Sequence, residues 1–365
     1  MSLHPPGHPA TMIQLSRLTT SLVSTCLATG SSQTLLVTGG LRSGKSFTIC
    51  QLLSCLVGAG RSDTDLAKRS MAGLAVVRPL LSTASSSGES SSSVVCTRAH
   101  LSFSHANTFP QATLVECQLS DHVVVRVRLS VHLLGGLGGL NGGRPLILRQ
   151  MVAALGKEEW EELGLEGVAR EELGLVSPSE NESLPRQFSA WRSSLAQLGI
   201  PFYDLVRVFA SILLLQNLNR EDILENNSRR LLRRLSRLLG VQHDCLLACL
   251  KSPTPPSDNS KKQPASPRSW EETCTLLATS LYQRTLLTVV RRINCPGTGT
   301  NVPSSGLSVS LLDSPAIVER GRGEGLHLLA SNLLSETIQV VDKILPFSKD
   351  YRSYFLFSTC TTAKF

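Results

Sequence analysis

The sequence predicts an α/β fold, with a mixed sheet, flanking helices and a large helical subregion. Three observations predict it. A short run of Leu, Val and Thr, Thr34–Thr38, passes through a glycine-containing loop into a mostly apolar stretch, Ser46–Val57. Two β-rich stretches lie around Leu114–Leu119 and Val123–Leu133. A long helical pattern from Leu146 to Leu250 then precedes a second strand-like run, Ser308–Leu312, which ends on Asp313. Strand and helix signals mixed along one chain fit a sheet covered by helices.

Taken in order, residues 12–33 read as a helix, with apolar Ile13, Leu15, Leu18, Leu22 and Val23 along it. Thr34–Thr38 reads as a buried strand and Ser46–Val57 as a buried helix. Ser82–Ser93 is nearly all serine and reads as a flexible loop. Gly135–Gly143 is a glycine-rich break before the helical region. Lys251–Ser269, rich in Pro, Ser and Lys, reads as a solvated, disordered insertion. Trp270–Asn294 and Gly325–Leu345 read as helices on either side of the Ser308–Leu312 strand.

Composition sets the outer limits. The 365 residues suffice for one large domain or two smaller ones. A hydrophobic share of 41% and a charged share of 18% fit a globular chain with a core, while the aromatic share of 5% is low and suggests a drifted or loosely packed version of a fold. The net charge of +8 favours anionic partners without selecting one. The ten cysteines, Cys26, Cys50, Cys55 and Cys96 among them, form no CxxC pair and no Cys/His cluster at metal spacing, which points to reduced thiols in the cytosol. Met1–Ala10 is rich in Pro and His, unlike a signal peptide. Val206–Leu215 is interrupted by Arg207 and too short to cross a bilayer, so a cytoplasmic protein without a transmembrane segment is expected.

The most specific motif is Gly39-Gly40-Leu41-Arg42-Ser43-Gly44-Lys45-Ser46, which satisfies G-x-x-x-x-G-K-[ST] at every position. Gly39 and Gly44 let the backbone turn its N–H groups toward a phosphate. Lys45 brings an ammonium to the β- and γ-phosphates, and the Ser46 hydroxyl suits Mg²⁺. The helix that follows points its positive end at the same anion. A strand-like run before the loop and an apolar helix after it make the predicted sheet one of P-loop NTPase type, binding ATP or ADP with Mg²⁺. The alternative is a glycine-rich turn that happens to precede a lysine.

Longer stretches resemble the myosin head. Leu18–Ser46 (LTTSLVSTCLATGSSQTLLVTGGLRSGKS) is similar to the helix, strand and phosphate loop of that family. The loop GGLRSGKS, with its basic residue, looks like that of class-eighteen myosins. Val206–Leu218 (VRVFASILLLQNL), Leu238–Leu250 (LLGVQHDCLLACL) and Trp270–Asn294 (WEETCTLLATSLYQRTLLTVVRRIN) resemble successive helices of the head, the last most closely at Val290–Asn294. Val309–Pro315 (VSLLDSP) occupies the place of the switch II strand, and Leu329–Gln339 (LASNLLSETIQ) resembles the segment that follows it. The resemblance spans about residues 12–340 and rests on the shared order of these segments as well as on the loop.

This resemblance implies further site residues. Val95-Cys96-Thr97-Arg98-Ala99 stands for switch I, Asn-Ser-Ser-Arg-Phe in the family. Thr97 would offer a hydroxyl to the metal or the γ-phosphate and Arg98 is kept, while Val95 replaces the Asn. The other reading of Thr97 and Arg98 is an exposed loop pair beside a serine run. Switch II, Asp-Ile-x-Gly-Phe-Glu in the family, reads Asp313-Ser314-Pro315-Ala316-Ile317-Val318. Asp313 would support Mg²⁺ through water, or simply cap the next turn as a strand-end carboxylate. Val318 cannot pair with the switch I arginine as the family's Glu does, and Glu319 lies one residue late. Nucleotide binding is therefore expected with weak or absent hydrolysis, because losing one group around the γ-phosphate commonly costs about two to three orders of magnitude in rate.

The implied layout is a disordered N-terminus over 1–11, a partial motor-like domain over 12–345 and a non-homologous tail over 346–365. Within the domain, the nucleotide core covers 30–134 and 305–345 and the helical upper region 146–294, with the 251–269 loop inserted. Room for a converter, a lever arm and most of the lower actin-binding region is lacking, so a myosin-head-like but truncated fold is expected. An actin-associated tether or scaffold of the cytoskeleton follows from the resemblance, with actin filaments and, in a longer protein, myosin partner chains as partners. Rival expectations are an active actin-dependent myosin ATPase, an unrelated P-loop NTPase or kinase, and a remnant that does not fold stably. Arg229, Arg230, Arg233, Arg234 and Arg237 read as a solvated basic helix face or an anionic contact surface; without interleaved aromatics, no specific nucleic acid is expected. Glu158, Glu159, Glu161 and Glu162 beside Trp160 read as a solvated face, and His100 and His105 as loop residues.

Overall fold

The computed structural model describes residues 9–38, 44–58, 64–82, 96–105, 122–132, 145–165, 183–218, 226–251, 270–294, 308–313 and 353–357. The chain divides into two units. The first comprises Met1–Ser85, Glu89–Gly136 and Val290–Phe365, and the second Ser86–Gly88 and Leu137–Val289.

The first unit holds helix α1 (Pro9–Thr29), strand β1 (Gln33–Thr38), helices α2 (Lys45–Gly58) and α3 (Thr64–Leu81), and strands β2 (Cys96–His105), β3 (His122–His132), β4 (Ser308–Asp313) and β5 (Ser353–Phe357). The sheet order is β3-β2-β4-β1-β5. Strand β1 runs parallel to β4 and to β5, and β2 runs antiparallel to β4 and β3, with an irregularity between Ser102 and Phe103. The start of the β1–β4 ladder is clamped. Ser308 N and Oγ both meet Ser32 Oγ, at 3.2 and 3.0 Å, and the Cys26 thiol donates to the Ser308 carbonyl. This clamp sets the register that pairs Val37 with Asp313 at the far end.

The core follows from side-chain periodicity. Leu15, Leu22, Val23 and Cys26 of α1, and Ile49, Leu52, Leu53, Leu56 and Val57 of α2, recur at helical spacing and pack on Leu35, Val37, Ala99, Leu101, Val309 and Leu311 of the sheet. Each fully buried Leu or Val contributes about 1.5–3 kcal/mol. Val309, Leu311 and Asp313 alternate along β4 and are all buried. By the two-residue repeat of a strand they share a face, so Asp313 continues the face that packs in this core beyond its apolar part.

In the second unit the described elements are α4 (Leu146–Ala154), α5 (Lys157–Glu162), α6 (Ser183–Gln197), α7 (Phe202–Asn217), α8 (Asn226–Leu239), α9 (His243–Lys251) and all but the last turn of α10 (Trp270–Ile293). Helix α7 is buried almost all round, through Leu205, Val206, Phe209, Ala210 and Ile212–Leu215. Phe209 lies 6.1 Å from the Trp191 ring and 6.2 Å from the Tyr282 ring, and Phe188 stacks on Trp191. On α8, Leu232 and Leu235 are buried while Arg229, Arg230, Arg233 and Arg237 are exposed.

The predicted fold class does not hold. Ten helices stand against five strands among the described residues, and roughly four-fifths of the residues in these elements are helical. A sheet of P-loop NTPase type grows by repeated strand–helix–strand crossovers. Here the passage from β1 to α2 is followed by a second helix and then by the antiparallel pair β2 and β3, and β4 arrives only after the helices of the second unit. The chain is helix-dominated with a small sheet, neither the P-loop NTPase-type mixed sheet nor the truncated myosin-head-like fold expected.

Individual elements differ too. The helix expected over 12–33 ends at Thr29, since Gln33 already belongs to β1. Helix α3 was unassigned, and β5 falls within the stretch taken for a tail. His100 and His105, read as loop residues, and Thr97 and Arg98, expected in switch I or in an exposed loop, lie in β2. The expected strand at Leu114–Leu119, the helix at Gly325–Leu345 and nearly all of the 251–269 insertion lie outside the described residues.

Candidate functional site

The site forms where β1 hands over to α2. Gly44 has φ +83, a left-handed conformation that glycine adopts without penalty, and it opens α2. Its carbonyl accepts from both the amide and the hydroxyl of Thr48, at 2.9 and 3.1 Å, which fixes the first turn. By helix geometry the first-turn amides have no carbonyl acceptor within the helix and suit an anion. Lys45 is the first residue of α2 and is buried.

Asp313 ends β4, next to β1, and meets this turn. The Ser46 hydroxyl donates to Asp313 Oδ2 at 3.0 Å, closing a contact across 267 residues of sequence. Asp313 is 4% exposed, and its Oδ1 is buried with no hydrogen-bond partner. Burial pushes its carboxyl up to about 6, against the opposing pull of Lys45, the Ser46 hydroxyl and Arg78. Burial likewise holds Lys45 below the usual ammonium range, with the Asp313 charge working the other way. Lysine, hydroxyl and carboxylate thus converge at one end of the sheet.

Other expected residues are less fully placed. Gly39, Gly40, Leu41, Arg42 and Ser43 lie outside the described residues, as do Val95 and Ser314–Val318. The backbone of β2 brings Thr97 opposite Asp313 and Arg98 opposite Leu312. Sequence reasoning missed α3. It brings Leu74, Val77 and Arg78 to a cavity shared with Ser46, Cys50 and Asp313. Leu74, Val77 and Leu81 repeat at helical spacing and were the available signal, broken up by Gly73 and Pro79. Cys50 is free, and burial pushes its thiol up, with Arg78 opposing.

The donor set fits a hard divalent cation. A hydroxyl and a carboxylate with one orphaned oxygen are oxygen ligands of the kind Mg²⁺ uses while keeping waters and phosphate oxygens in its remaining positions. Among the described residues no group of three or more His, Cys, Asp or Glu forms a cage, so phosphate and water would have to complete the shell. Ser46 and Asp313 would hold the ion, which would neutralise phosphate charge. A scan of known protein families finds no match to this chain, and a search of curated proteins finds none either. No helix among the described residues is long and apolar enough to cross a membrane.

Proposed function

We propose that this chain binds ATP or ADP with Mg²⁺ as a myosin-related protein, and that it acts as an actin-associated tether or scaffold of the cytoplasmic cytoskeleton with little or no ATPase turnover. The observation that carries the nucleotide reading is the Ser46–Asp313 hydrogen bond beside buried Lys45. The motif at Gly39–Ser46 supplies a reason for a loop of phosphate-facing amides at the same place. Lys45 neutralises phosphate charge, Ser46 and Asp313 hold the cation, and Thr97 stands in register with Asp313. Weak turnover follows from Val95 and Val318, which take the places of polar groups that position water and close the site in the resembled family. The actin role rests on the resemblance of Val206–Leu218 and Trp270–Asn294 to myosin helices.

Titration with a fluorescent ATP analogue and Mg²⁺ tests the reading. The wild type takes up nucleotide, and uptake falls on chelation of the metal. Lys45→Ala weakens binding by roughly a hundredfold or more while the melting temperature stays close to that of the wild type. ATPase with saturating actin filaments stays far below about 1 s⁻¹, the lower end of ordinary enzyme turnover. A wild type without uptake overturns the nucleotide reading, and turnover at ordinary motor speed overturns the tether.

A further inference from the structure

The cavity beside the site is bounded by α2, α3 and the end of β4, and its volume of about 40 Å³ is room for about three or four waters at about 10–15 Å³ each. Ser46 and Asp313 form its polar end. Arg78 stands on the same wall, on a stripe with Leu74, Val77 and Leu81 at helical spacing, and is itself exposed. Its backbone carbonyl accepts from the Ser82 amide, and its guanidinium makes no hydrogen bond or ion pair with another described residue. Two cations, Lys45 from α2 and Arg78 from α3, therefore act on one buried carboxylate. Among the described residues lining the cavity Asp313 is the one carboxylate, which balances one of the two cations.

We propose that Arg78 binds the terminal phosphate of the nucleotide held by Lys45 and Ser46, and so makes the site prefer a nucleoside triphosphate to a diphosphate. This rests on the nucleotide reading above. A guanidinium presents a planar fork of donors that matches two phosphate oxygens, which an ammonium cannot do. An exposed arginine in the cavity lining is free to turn its head onto an anion that enters there. A residue that merely kept Asp313 ionised would act on diphosphate and triphosphate alike, since both need the same cation.

The experiment compares Mg²⁺-bound ATP and ADP analogues across the wild type, Arg78→Ala, Arg78→Lys and Lys45→Ala, with circular dichroism as the folding control. Arg78→Ala is expected to weaken ATP roughly tenfold or more and ADP less than about twofold, with Arg78→Lys in between. Lys45→Ala weakens both. Equal weakening of ATP and ADP by Arg78→Ala makes Arg78 a positioning residue for Asp313 and overturns the proposal, as does no weakening at all; in either case loss of binding in Lys45→Ala leaves the nucleotide reading standing. If Arg78→Ala fails to fold, Arg78→Lys decides by its ATP-to-ADP ratio, an unchanged ratio being the overturning result. A wild type that binds neither analogue overturns both readings.

Discussion

The two units bury different chemistry. Among the described residues the first unit has an aliphatic core of Leu, Val, Ile and Ala with Cys26, and its buried Lys45 and Asp313 sit at the edge of that core. The second unit holds the buried aromatics, Trp160, Phe188, Trp191, Phe209 and Tyr282. Aromatic rings supply large area and preferred ring–ring geometry, and that unit packs them beside buried Arg149 and Gln150. The first unit keeps a buried carboxylate beside a buried lysine, a pairing that marks a place where a ligand changes the balance. Among the described residues the buried aromatic rings all belong to the second unit, and the core of the site unit is aliphatic.

The sharpest way to break this contrast is Phe209→Ala. Phe209 is fully buried between Trp191 and Tyr282, and truncation is expected to cost about 3–5 kcal/mol. All three tryptophans, Trp160, Trp191 and Trp270, belong to the second unit. Urea unfolding followed by tryptophan emission reads that unit directly, and a loss under about 1 kcal/mol would deny Phe209 its central place.

Next comes the titration of Asp313. Its folded-state carboxyl stands at about 6 against an ordinary value of 3.8, so the fold favours the protonated form. The stability this contributes is complete below about 3.8 and is lost as pH rises through about 6. The loss is on the order of 2–3 kcal/mol for the ligand-free protein. Asp313→Asn, which carries no titrating proton, should gain on the wild type over that window, as read by hydrogen exchange of the β1 and β4 amides from pH 4.5 to 8. An advantage for the variant that does not grow with pH would contradict the buried-carboxylate account. Mg²⁺ uptake should run the opposite way and improve through the same window, because the cation needs the carboxylate.

The smallest effect expected is at Gly164. Its φ is +67, and an added Cβ would lie 2.9 Å from Cδ of Arg234, whose guanidinium donates to the Gly164 carbonyl at 3.0 Å. Gly164→Ala is expected to cost about 1–2 kcal/mol, seen as a lower tryptophan-detected melting temperature. An unchanged melting temperature would mean that α5 and Arg234 shift freely.

Local features were legible in the residues themselves, and the pairing of β1 with β4 only through the resemblance. Lys45 and Ser46 stand out because a phosphate loop demands them at fixed spacing, and Leu35–Val37 because a continuous apolar run fits a strand buried on both faces. Asp313 was legible as the end of an apolar strand. Its meeting with the Lys45–Ser46 turn followed only from the resemblance, because no periodicity encodes a contact across 267 residues. Helix α3 escaped because Gly73 and Pro79 interrupt it, and β2 because Arg98, His100, Ser102 and Ser104 alternate through it and leave no apolar run. The fold class failed for a related reason: strand and helix signals reveal which elements exist, while the number of parallel neighbours depends on how the chain returns. Arg78 and Cys50 carry no motif, and only the packing of α3 brings them to the cavity.

Strand β1 has a consequence for synthesis. Both of its neighbours, β4 and β5, come from the far end of the chain, beginning at Ser308 and Ser353. On a ribosome adding about 5–20 residues per second, the wait from Val37 to its partner Asp313 lasts roughly a quarter of a minute to a minute. For all that time Leu35, Leu36 and Val37 have neither of their partner strands, so the strand buried at the centre of the β4-β1-β5 ladder is among the last to be paired.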